Sequence, residues 1–358
     1  MPKEVPCIKV QKVFGEKAIT LANKLKISNK DLTVQRNSDF IYIPFIRHPL
    51  ENELQIFMEQ FPNCEILTKI FPEKKKPVTT YADLLVDRLP PYLLACLPHA
   101  LDFVGDIAII EIPPELEAYK AIIGEAILKA HKNVQTVLAK ASTVTGTYRL
   151  REYSVIAGKP KTETIHKEHG CRYHVDLAKA YFSPRLSHEH KRVASLVNEG
   201  ETIIDMFAGV GPFTILIAKT RENMRVYAVD ANPNAIELLK RNIRLNRVEG
   251  KVHPILGDAK QVVNERLVGV ADRVIMNLPE KSIEFLNSAC KALKPTGGVI
   301  HFYSFVNTSN SLENMQRQFA SVVEGCGWKV EKILLHRFVR ETAPYQWQAV
   351  LDAKIIKP

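Results

Sequence analysis

The stretch Thr202–Phe213 (TIIDMFAGVGPF) constrains the fold of this chain more than any other segment. Its apolar first half predicts a buried parallel strand. The strand ends before Gly209 and Gly211, and the apolar periodicity of Thr214–Lys219 predicts that a helix follows. Glycines at a strand-to-helix turn let the backbone approach a ligand closely and direct free N–H groups toward it. The sequence therefore predicts a ligand site at this turn.

The residues after the turn indicate the kind of ligand. A second apolar strand, Val226–Asp230, ends in a carboxylate that can accept hydrogen bonds from both hydroxyls of an adenosine ribose. Dinucleotide sites carry three glycines in Gly-x-Gly-x-x-Gly, whereas this turn has two, and Phe213 precedes the position of the third. The stretch Asp205–Gly211 instead resembles motif I of class I S-adenosylmethionine (SAM) methyltransferases. A tight turn without a ligand is the alternative, and the carboxylate of Asp230 argues against it.

Composition sets the broad class. A chain of 358 residues predicts two or three domains, and a net charge of +10 suits a polyanion such as nucleic acid, although a merely basic enzyme fits that charge equally well. The six cysteines are widely scattered without a Cys-x-x-Cys pair, which predicts reduced thiols. No uncharged apolar run reaches membrane-spanning length, and Met1–Val5 has no apolar signal core. We expect a cytoplasmic protein with no membrane partner.

Two small α+β units are predicted before the glycine turn. The first, residues 1–70, has strands at Ile8–Val10 and Phe40–Pro44 and a helix at Glu16–Leu25. The basic, Pro-flanked stretch Phe71–Pro77 predicts a linker. The second unit, residues 78–180, is predicted to contain a helix over Tyr81–Cys96 interrupted at Pro90-Pro91, a strand over Asp106–Ile112, a helix from Pro114 to His131, a strand pattern over Thr147–Ile156 and a hairpin over Thr162–Asp176 that turns near His169-Gly170.

Residues 181–358 alternate strand and helix patterns and then change character. The predicted helices are Ser187–Val197, Ala235–Leu245 and Ile283–Leu293, and the further strands are Val252–Leu256, Val274–Leu278 and Val299–Ser304. Val330–Val339 and Gln348–Ile356 then follow as consecutive strands. This order predicts an α/β fold: a Rossmann-like sheet of the class I methyltransferase type that ends in an antiparallel hairpin.

Asn277-Leu278-Pro279-Glu280 ends the fourth predicted strand, at the edge where open α/β sheets bind ligands. It resembles the Asn-Pro-Pro-Tyr type motif of methyltransferases that act on nucleobase nitrogens, in which the Asn holds a base edge beside the methyl donor. Leu278 replaces the first Pro, and Glu280 replaces the aromatic residue that often stacks on the base. The alternative is a common strand-to-loop turn, since Asn-x-Pro favours turns.

Two further motifs lie upstream, Thr145–Glu152 (TGTYRLRE) and Val175–Glu189 (VDLAKAYFSPRLSHE). Together with Asp205–Gly211 and Asn277–Glu280, they closely resemble the archaeal and eukaryotic tRNA (guanine-37-N1)-methyltransferases. The resemblance covers nearly the whole chain, and four separated motifs follow the family's order. It implies a SAM-dependent enzyme that methylates N1 of guanosine 37, the nucleotide on the 3′ side of the tRNA anticodon.

The chemistry explains which catalytic residues such an enzyme needs. Guanine N1 holds a proton and is a poor nucleophile, so a base must take that proton while positive charge stabilises anionic character on O6. The resemblance implies Glu189 as the base, Arg149 at the O6 edge and Asn277 as the residue that orients the guanine. Without the resemblance, Glu189 is better explained as a surface helix acid that pairs with Lys191 or Arg192.

The resemblance also implies the cofactor and RNA contacts. Asp230 would hold the ribose, Asp258 the adenine amino group and the loop Phe207–Gly211 the methionine moiety, while Tyr181 would contact SAM or the stacked base. The full set of implied cofactor contacts is Tyr181, Arg185, Asp205, Phe207, Gly209, Gly211, Asp230, Asp258 and Asn277. The implied RNA contacts are Arg149, Arg151 and Arg185, since Arg offers a fixed fork of donors to phosphates. Tyr345 stands where relatives can carry Arg.

The implied partner is tRNA, with residues 1–70 docking on the tRNA body and the rest acting at the anticodon stem-loop. We expect a monomer that requires no metal. His166, His169, Cys171 and His174 have a spacing that a zinc site could use. They lie in a predicted hairpin, however, where neighbouring side chains alternate in direction, so the four need not converge.

Three other functions stay open. The related wyosine-pathway aminocarboxypropyl transferases share this fold and cofactor but move the other substituent of the sulfonium, and Glu189 with Arg149 favours methyl transfer instead. Methylation of a tricyclic wyosine-type guanosine derivative is the second. The third is an RNA-binding protein with a vestigial cofactor fold, against which the intact residues argue: Asp205, Gly209, Gly211, Asp230 and Asn277.

Overall fold

The computed structural model describes residues 2–74, 80–142, 146, 148–307 and 311–358. The chain divides into two compact units, Met1–Thr79 and Thr80–Pro358. Within the described ranges, no helix is long and apolar enough to cross a membrane.

The first unit is an antiparallel sheet packed against two helices. Its elements are β1 (Lys3–Gln11), α1 (Gly15–Lys24), β2 (Gln35–Arg36), β3 (Phe40–Pro44), α2 (Glu51–Gln60) and β4 (Glu65–Phe71). The strand order is β2-β3-β1-β4. Alternate residues of the strands, among them Ile8 and Ile43, meet Ala18 of α1 and Phe57 of α2 in one fully buried core. A core of this kind lets a small unit fold around its own apolar residues.

The sequence predicted three of the six named helices and strands of this unit. The predicted strands at Ile8–Val10 and Phe40–Pro44 and the predicted helix are confirmed by β1, β3 and α1. Helix α2 and strand β4 were not predicted. The linker prediction is wrong at its first residue, because Phe71 pairs with Lys3 in the sheet and is fully buried. Burying a Phe side chain stabilises a fold by about 1.5–3 kcal/mol. Phe71 is therefore the last residue of β4, and the predicted linker can begin only after it. Residues 75–77 of the predicted linker lie outside the described residues.

The second unit begins with a mixed sheet and a hairpin. Its elements are α3 (Pro91–Leu94), β5 (Asp102–Val104), β6 (Ile107–Ile110), α4 (Lys120–Ala130), β7 (Thr136–Lys140), β8 (Tyr153–Gly158), β9 (Glu163–Glu168) and β10 (Cys171–Asp176). The first sheet has the order β5-β6-β7-β8, with β6 and β7 parallel and the outer pairs antiparallel. Helix α4 packs tightly on this sheet at Gly124, where a Cβ would lie 2.8 Å from the Ala157 side chain.

In this region one predicted strand and one predicted hairpin are confirmed, whereas one predicted helix and one predicted strand differ from the structure. Strand β6 and the hairpin β9–β10, which turns at His169 and Gly170 with positive φ, match the sequence pattern. The helix predicted over Tyr81–Cys96 is reduced to a 3₁₀ turn at Asp83–Leu85 and the four-residue α3. Proline lacks the N–H that a helix interior needs and pushes the preceding residue out of the helical region, so the two prolines end the helix. The strand predicted over Thr147–Ile156 begins only at Tyr153, and Thr147 lies outside the described residues.

The remainder forms a seven-stranded sheet with helices between its strands. Its elements are α5 (Ser187–Leu196), β11 (Thr202–Asp205), α6 (Pro212–Thr220), β12 (Arg225–Asp230), α7 (Pro233–Asn246), β13 (Val252–Leu256), α8 (Ala259–Arg266), β14 (Arg273–Met276), α9 (Ser282–Ala292), β15 (Gly298–Val306), α10 (Ser311–Gly325), β16 (Lys329–Ala343) and β17 (Gln346–Ile356). The strand order is β13-β12-β11-β14-β15-β17-β16. The first five strands are parallel, and β17 runs antiparallel to both β15 and β16.

Both faces of this sheet are covered, which explains the apolar strands. Ile203 and Ile204 are adjacent in β11 and fully buried, yet they lie in two separate cores, one with α6 and α7 and one with α8 and α9. A parallel strand buried on both faces needs apolar residues at consecutive positions. The predicted α/β fold with a terminal antiparallel hairpin is confirmed.

Candidate active site

Four neighbouring parallel strands end at one cavity of about 140 Å³, which we call the strand-end cavity. The strand ends contribute Met206–Gly209 after β11, Asp230–Asn232 after β12, Asp258 and Ala259 after β13, and Asn277 and Leu278 after β14. Further walls come from Tyr148, Arg149, Tyr181, Phe182, Ser183, Leu186, His190, Pro212, Phe213, Ala235 and Phe285. The carboxyl ends of parallel strands are where α/β sheets bind ligands. The cavity therefore lies where the sequence predicted a site.

The glycine turn and Asp230 hold each other. The Gly209 N–H donates to Asp230 Oδ2 at 2.7 Å, and the Asn232 N–H donates to Oδ1 at 2.9 Å. Burial raises the pKa of Asp230, and these two donors offset part of the rise. Gly209 (φ +55°) lines the cavity, whereas Gly211 (φ +91°) does not, and a Cβ at Gly211 would lie 2.4 Å from Leu239 Cδ1. Gly211 thus permits close packing of α6 on α7.

The two other aspartates of the prediction have different surroundings. Asp205 is buried beneath the turn and does not line the cavity. Its carboxylate accepts from Thr214 Oγ1 at 2.9 Å, yet burial raises its pKa to about 7. Asp258 lines the cavity and caps α8, because its Oδ1 accepts from the Lys260 and Gln261 N–H groups. The structure therefore gives Asp205 a supporting position and Asp258 an exposed carboxylate edge at the cavity.

Arg149 is held over the ring of Tyr181. Its guanidinium carbon lies 4.5 Å from the ring centroid, and its Nη2 lies 3.6 Å from Glu280 Oε1. Its backbone has φ +56°, a conformation that costs a non-glycine residue about 1–3 kcal/mol and that clusters at functional sites. Arg149 Nε is buried, and no hydrogen-bond partner for it is found in the described part of the chain. That donor remains for a ligand.

A second cavity of about 280 Å³ shares Arg149 and Tyr181 with the first, and we call it the cationic cavity. It is lined by five basic residues, Lys140, Arg149, Arg151, Arg185 and Arg340, and three acidic ones, Asp102, Glu280 and Glu341. Arg185 donates through Nε to Asp102 Oδ1 at 2.5 Å, and Arg151 Nε is buried with no partner among the described residues. Arg185, predicted to contact both cofactor and RNA, lines this cavity and not the strand-end cavity.

Glu189, the predicted base, is not brought to either cavity. It is 1% exposed, and its carboxylate accepts from Arg192 Nη2 at 2.9 Å, from Tyr303 Oη at 2.8 Å and from Arg337. Neither set of cavity-lining residues includes it. Of the three predicted catalytic residues, the structure brings Arg149 and Asn277 together at the strand-end cavity, whereas Glu189 is buried and does not line it.

Two residues that the sequence reasoning missed contact the predicted site. Arg340 of β16 donates through Nη2 to Tyr181 Oη at 3.2 Å, and Gln348 of β17 donates through Nε2 to Asn277 Oδ1 at 3.1 Å. The two are cross-strand partners in the terminal hairpin. A polar Gln at the start of a strand that is otherwise largely apolar was the available signal, because a buried amide needs a partner.

Two of the four residues with zinc-like spacing make hydrogen bonds to the backbone. His166 Nδ1 accepts from the Gly105 N–H at 3.2 Å, and His169 Nε2 lies 3.0 Å from the Ser187 carbonyl oxygen. Among the residues that the structure describes, no group of His, Cys, Asp and Glu is arranged to hold a metal ion.

The strand order, the antiparallel terminal hairpin and the glycine turn facing a carboxylate on the next strand define a class I methyltransferase. Residues 164–331 match the TRM5/TYW2 methyltransferase domain, and residues 81–162 match the TYW2 N-terminal domain. With the relatives described next, these matches show that the chain belongs to the TRM5/TYW2 family.

Curated relatives of three activities are similar to the chain, one of them the tRNA 4-demethylwyosine(37)-methyltransferase Taw21 of Saccharolobus solfataricus, 37% identical over 255 residues, covering 71% of this chain and 93% of that protein. The tRNA (guanine(37)-N(1))-methyltransferase Trm5b of Pyrococcus abyssi is 40% identical over 322 residues, covering 90% of each protein. The tRNA(Phe) (4-demethylwyosine(37)-C(7)) aminocarboxypropyltransferase of Methanocaldococcus jannaschii is 35% identical over 251 residues, covering 70% of this chain and 96% of that protein. The guanine(37)-N(1)-methyltransferase is thus similar over a larger part of the chain than either of the other two relatives.

Two solved structures are similar to this chain over nearly its full length. The crystal structure of Trm5b from Pyrococcus abyssi has a TM-score of 0.74 at 38% identity and covers 98% of this chain and 99% of that one. Methanocaldococcus jannaschii Trm5 in complex with adenosine has a TM-score of 0.64 at 32% identity, covering 99% and 100%.

Proposed function

We propose that this protein is a SAM-dependent methyltransferase that methylates N1 of guanosine 37 in tRNA. The observation that carries the proposal is the meeting of Asp230, Arg149 and Asn277 around one cavity. This meeting occurs in a chain that resembles a tRNA (guanine(37)-N(1))-methyltransferase over 90% of its length.

The strand-end cavity fits the nucleoside part of SAM. Asp230 presents a carboxylate whose backbone donors already fix its orientation, so it can accept from the two ribose hydroxyls. Phe207 and Phe285 meet edge to face at 5.0 Å between ring centroids and give the cavity an apolar wall for the adenine. Asp258 offers an acceptor to the adenine amino group. The adenosine complex of Methanocaldococcus jannaschii Trm5 supports this assignment.

The residues between the two cavities would receive the guanine. SAM, when bound, supplies an electrophilic methyl group on a sulfonium. Asn277 orients the acceptor base, and the guanidinium of Arg149 stabilises negative charge on O6 as N1 loses its proton. Arg151 and Arg185 in the cationic cavity are suited to the phosphates on either side of that nucleotide, because each offers a fork of donors.

We keep Glu189 as the proposed base, and the structure adds a condition to that role. The carboxylate is held by Arg192, Arg337 and Tyr303, so it must leave this network to reach a proton in the cavity. Arg337 is the partner most able to move, because 41% of its side chain is exposed. Withdrawal of Arg337 would free one carboxylate oxygen while Arg192 still holds the other.

We propose tRNA as the partner, with a different part of the chain binding each region of it. Residues 1–70 would dock on the tRNA body, while residues 78–180 and 181–358 would act together on the anticodon stem-loop. The protein would work as a monomer in the cytoplasm and without a metal. The compact fold of the first unit supports a separate docking role, since that unit has its own core.

Aminocarboxypropyl transfer is the second candidate, because the TYW2 N-terminal domain matches residues 81–162. That reaction uses the same cofactor but attacks a different carbon on the sulfonium. Methyl transfer is favoured by Arg149 at the cavity, since guanine N1 requires stabilisation of charge on O6.

Isotope transfer separates the two reactions. An unmodified tRNA transcript is incubated with the protein and with SAM that carries label either in the methyl group or in the carboxypropyl carbons. The proposal predicts label in RNA only from the methyl-labelled SAM. Label from the carboxypropyl carbons would assign the second candidate instead, and no label from either would contradict both.

A further inference from the structure

A chain of hydrogen bonds runs from Tyr181 to Asn277 through the terminal hairpin. Arg340 donates through Nη2 to Tyr181 Oη at 3.2 Å and through Nη1 to Ser183 Oγ at 3.0 Å. Its Nε donates to Gln348 Oε1 at 3.0 Å, and Gln348 Nε2 donates to Asn277 Oδ1 at 3.1 Å. Gln348 is 1% exposed, so its amide cannot exchange these partners for water.

The direction of these hydrogen bonds is fixed by the guanidinium of Arg340. A guanidinium has five N–H donors and no acceptor, so the atom of Gln348 that meets Arg340 must be the carbonyl oxygen. The other end of the same amide must then be the NH₂ group, and it can only donate. The atom of Asn277 that meets it must accordingly be Oδ1. No alternative assignment of the two amides satisfies every contact.

The consequence falls on the group that Asn277 offers to a ligand. Because Oδ1 faces Gln348, Nδ2 is the polar atom on the other side of this amide, and no hydrogen bond to it is found within the described ranges. Asn277 lines the strand-end cavity, where the proposed function places the acceptor base. An NH₂ group there recognises an acceptor such as a carbonyl oxygen and disfavours an amino group.

We propose that Arg340 and Gln348 are positioning residues that orient the amide of Asn277 so that it presents a donor to the base. This inference rests on the proposed function and adds a source of specificity to it. Guanine carries a carbonyl oxygen beside N1, whereas adenine carries an amino group at the same place. The Arg340 guanidinium also donates to Tyr181 and Ser183, so it connects the segment before α5 to the terminal hairpin that carries Gln348.

Two substitutions of Gln348 distinguish an orienting role from a packing role, because the two roles predict opposite orders of their reaction rates. Gln348→Leu removes the constraint on Asn277 and leaves its amide free to turn. Gln348→Glu keeps size and shape and still accepts from Arg340, but it offers Asn277 only an acceptor. Asn277 must then turn Nδ2 toward the introduced carboxylate and present Oδ1 to the base. Orientation therefore predicts that the near-isosteric change is the worse one, whereas a packing role predicts the reverse.

The measurement is single-turnover methyl transfer to transcripts with G37 or A37. A typical hydrogen bond corresponds to about tenfold in rate, so Gln348→Leu should lose about tenfold on G37. Gln348→Glu should lose about 100-fold on G37, since an acceptor then faces O6, and its A37-to-G37 ratio should rise. SAM affinity should stay unchanged in both. Gln318→Leu, an exposed glutamine of α10 outside both cavities, is the matched control and should retain full activity. Gln348→Leu slower than Gln348→Glu would overturn the proposal.

Double substitution separates an effect through Asn277 from a direct one. In the Asn277→Ala background the two Gln348 variants should have equal rates, and a persisting difference would overturn the proposal. If the wild-type protein transfers no methyl to guanosine, the proposed function fails. The hydrogen bonds from Arg340 through Gln348 to Asn277, which we call the relay, can still be tested. Non-additive unfolding free energies of Gln348→Leu and Asn277→Ala would then support the relay, and strict additivity would contradict it.

Discussion

Asp205 and Asp230 end adjacent strands of the sheet, and their surroundings assign them different tasks. Asp205 is buried under the turn with Thr214, and burial raises its pKa to about 7. Asp230 also has a raised pKa, but it lines the cavity and receives two backbone N–H groups. The sequence assigned the ribose to Asp230 but also placed Asp205 among the cofactor contacts, because each is a single acidic residue at the end of an apolar strand. Their surroundings differ because Asp230 accepts from the Gly209 N–H on the cavity side of the glycine turn, whereas Asp205 accepts from Thr214 and does not line the cavity.

Asp230→Ala should weaken SAM binding by roughly 1.5–3 kcal/mol, the range for a lost hydrogen bond to a charged group. The ribose hydroxyls would lose their acceptor, and so would the Gly209 and Asn232 N–H groups. Titration calorimetry with SAM measures the change. Asp258→Ala serves for comparison, because it removes the adenine contact and not the ribose contact. An Asp230→Ala variant that binds SAM as tightly as wild type would exclude the ribose assignment.

Glu189→Gln should lower single-turnover methyl transfer by about 10²–10⁴-fold, the usual contribution of a positioned general base. Gln keeps the shape but cannot accept a proton at neutral pH, so SAM and tRNA affinities should barely change.

The control for this variant follows from the ion pairs of Glu189. Arg192→Gln disturbs the same buried network without removing the carboxylate. Equal losses in both variants, or a Glu189→Gln rate within a few-fold of wild type at every pH, would remove Glu189 from the mechanism. Glu280, the ion-pair partner of Arg149, would then be the next carboxylate to test.

At the scale of elements, the sequence predicted what depends on local pattern and missed what depends on pairing. The strands β11, β12 and β14 and the turn after β11 follow from apolar runs and glycines, so the cavity they form was predictable. Arg340 and Gln348 reach the site only through the register of the terminal hairpin and its place beside β15. That register is set by long-range packing, which one sequence does not show. The contacts of Glu189 with Tyr303 and Arg337 were hidden for the same reason.

The turn after β11 provides a stability prediction. Gly211→Ala should lower the free energy of unfolding by about 2–4 kcal/mol. A residue with a Cβ is strained at positive φ, and the added carbon would overpack the core. The added carbon would lie 2.4 Å from Leu239 Cδ1. Gly250→Ala is the matched control, since a Cβ there meets nothing within 4 Å. Urea denaturation compares the two, and equal stability of both variants would show that the turn adapts at no cost.

At the scale of the molecule, the chain joins a unit with its own core to a larger unit that carries the whole candidate site. Every residue that lines either cavity belongs to Thr80–Pro358. The methyl-transfer chemistry should therefore be separable from the docking proposed for the first unit.

Deleting residues 1–79 should leave SAM affinity unchanged and weaken the reaction with full-length tRNA. Activity on an isolated anticodon stem-loop should change much less, because that substrate lacks the tRNA body. The comparison of the two substrates by kcat/KM is the measurement. Equal loss on both substrates, with SAM binding intact, would contradict a docking role, and loss of the folded state would place the boundary elsewhere.

The central claim is tested most directly by locating the methyl group in the product. A tRNA transcript with G37 and a matched transcript with A37 are each incubated with the protein and methyl-labelled SAM, then digested for nucleoside mass spectrometry and mapped by oligonucleotide fragments. Our account predicts 1-methylguanosine at position 37 of the first transcript and little or no label in the second. Methylation at another position or another guanine nitrogen, or no methylation by protein that binds SAM, would contradict it.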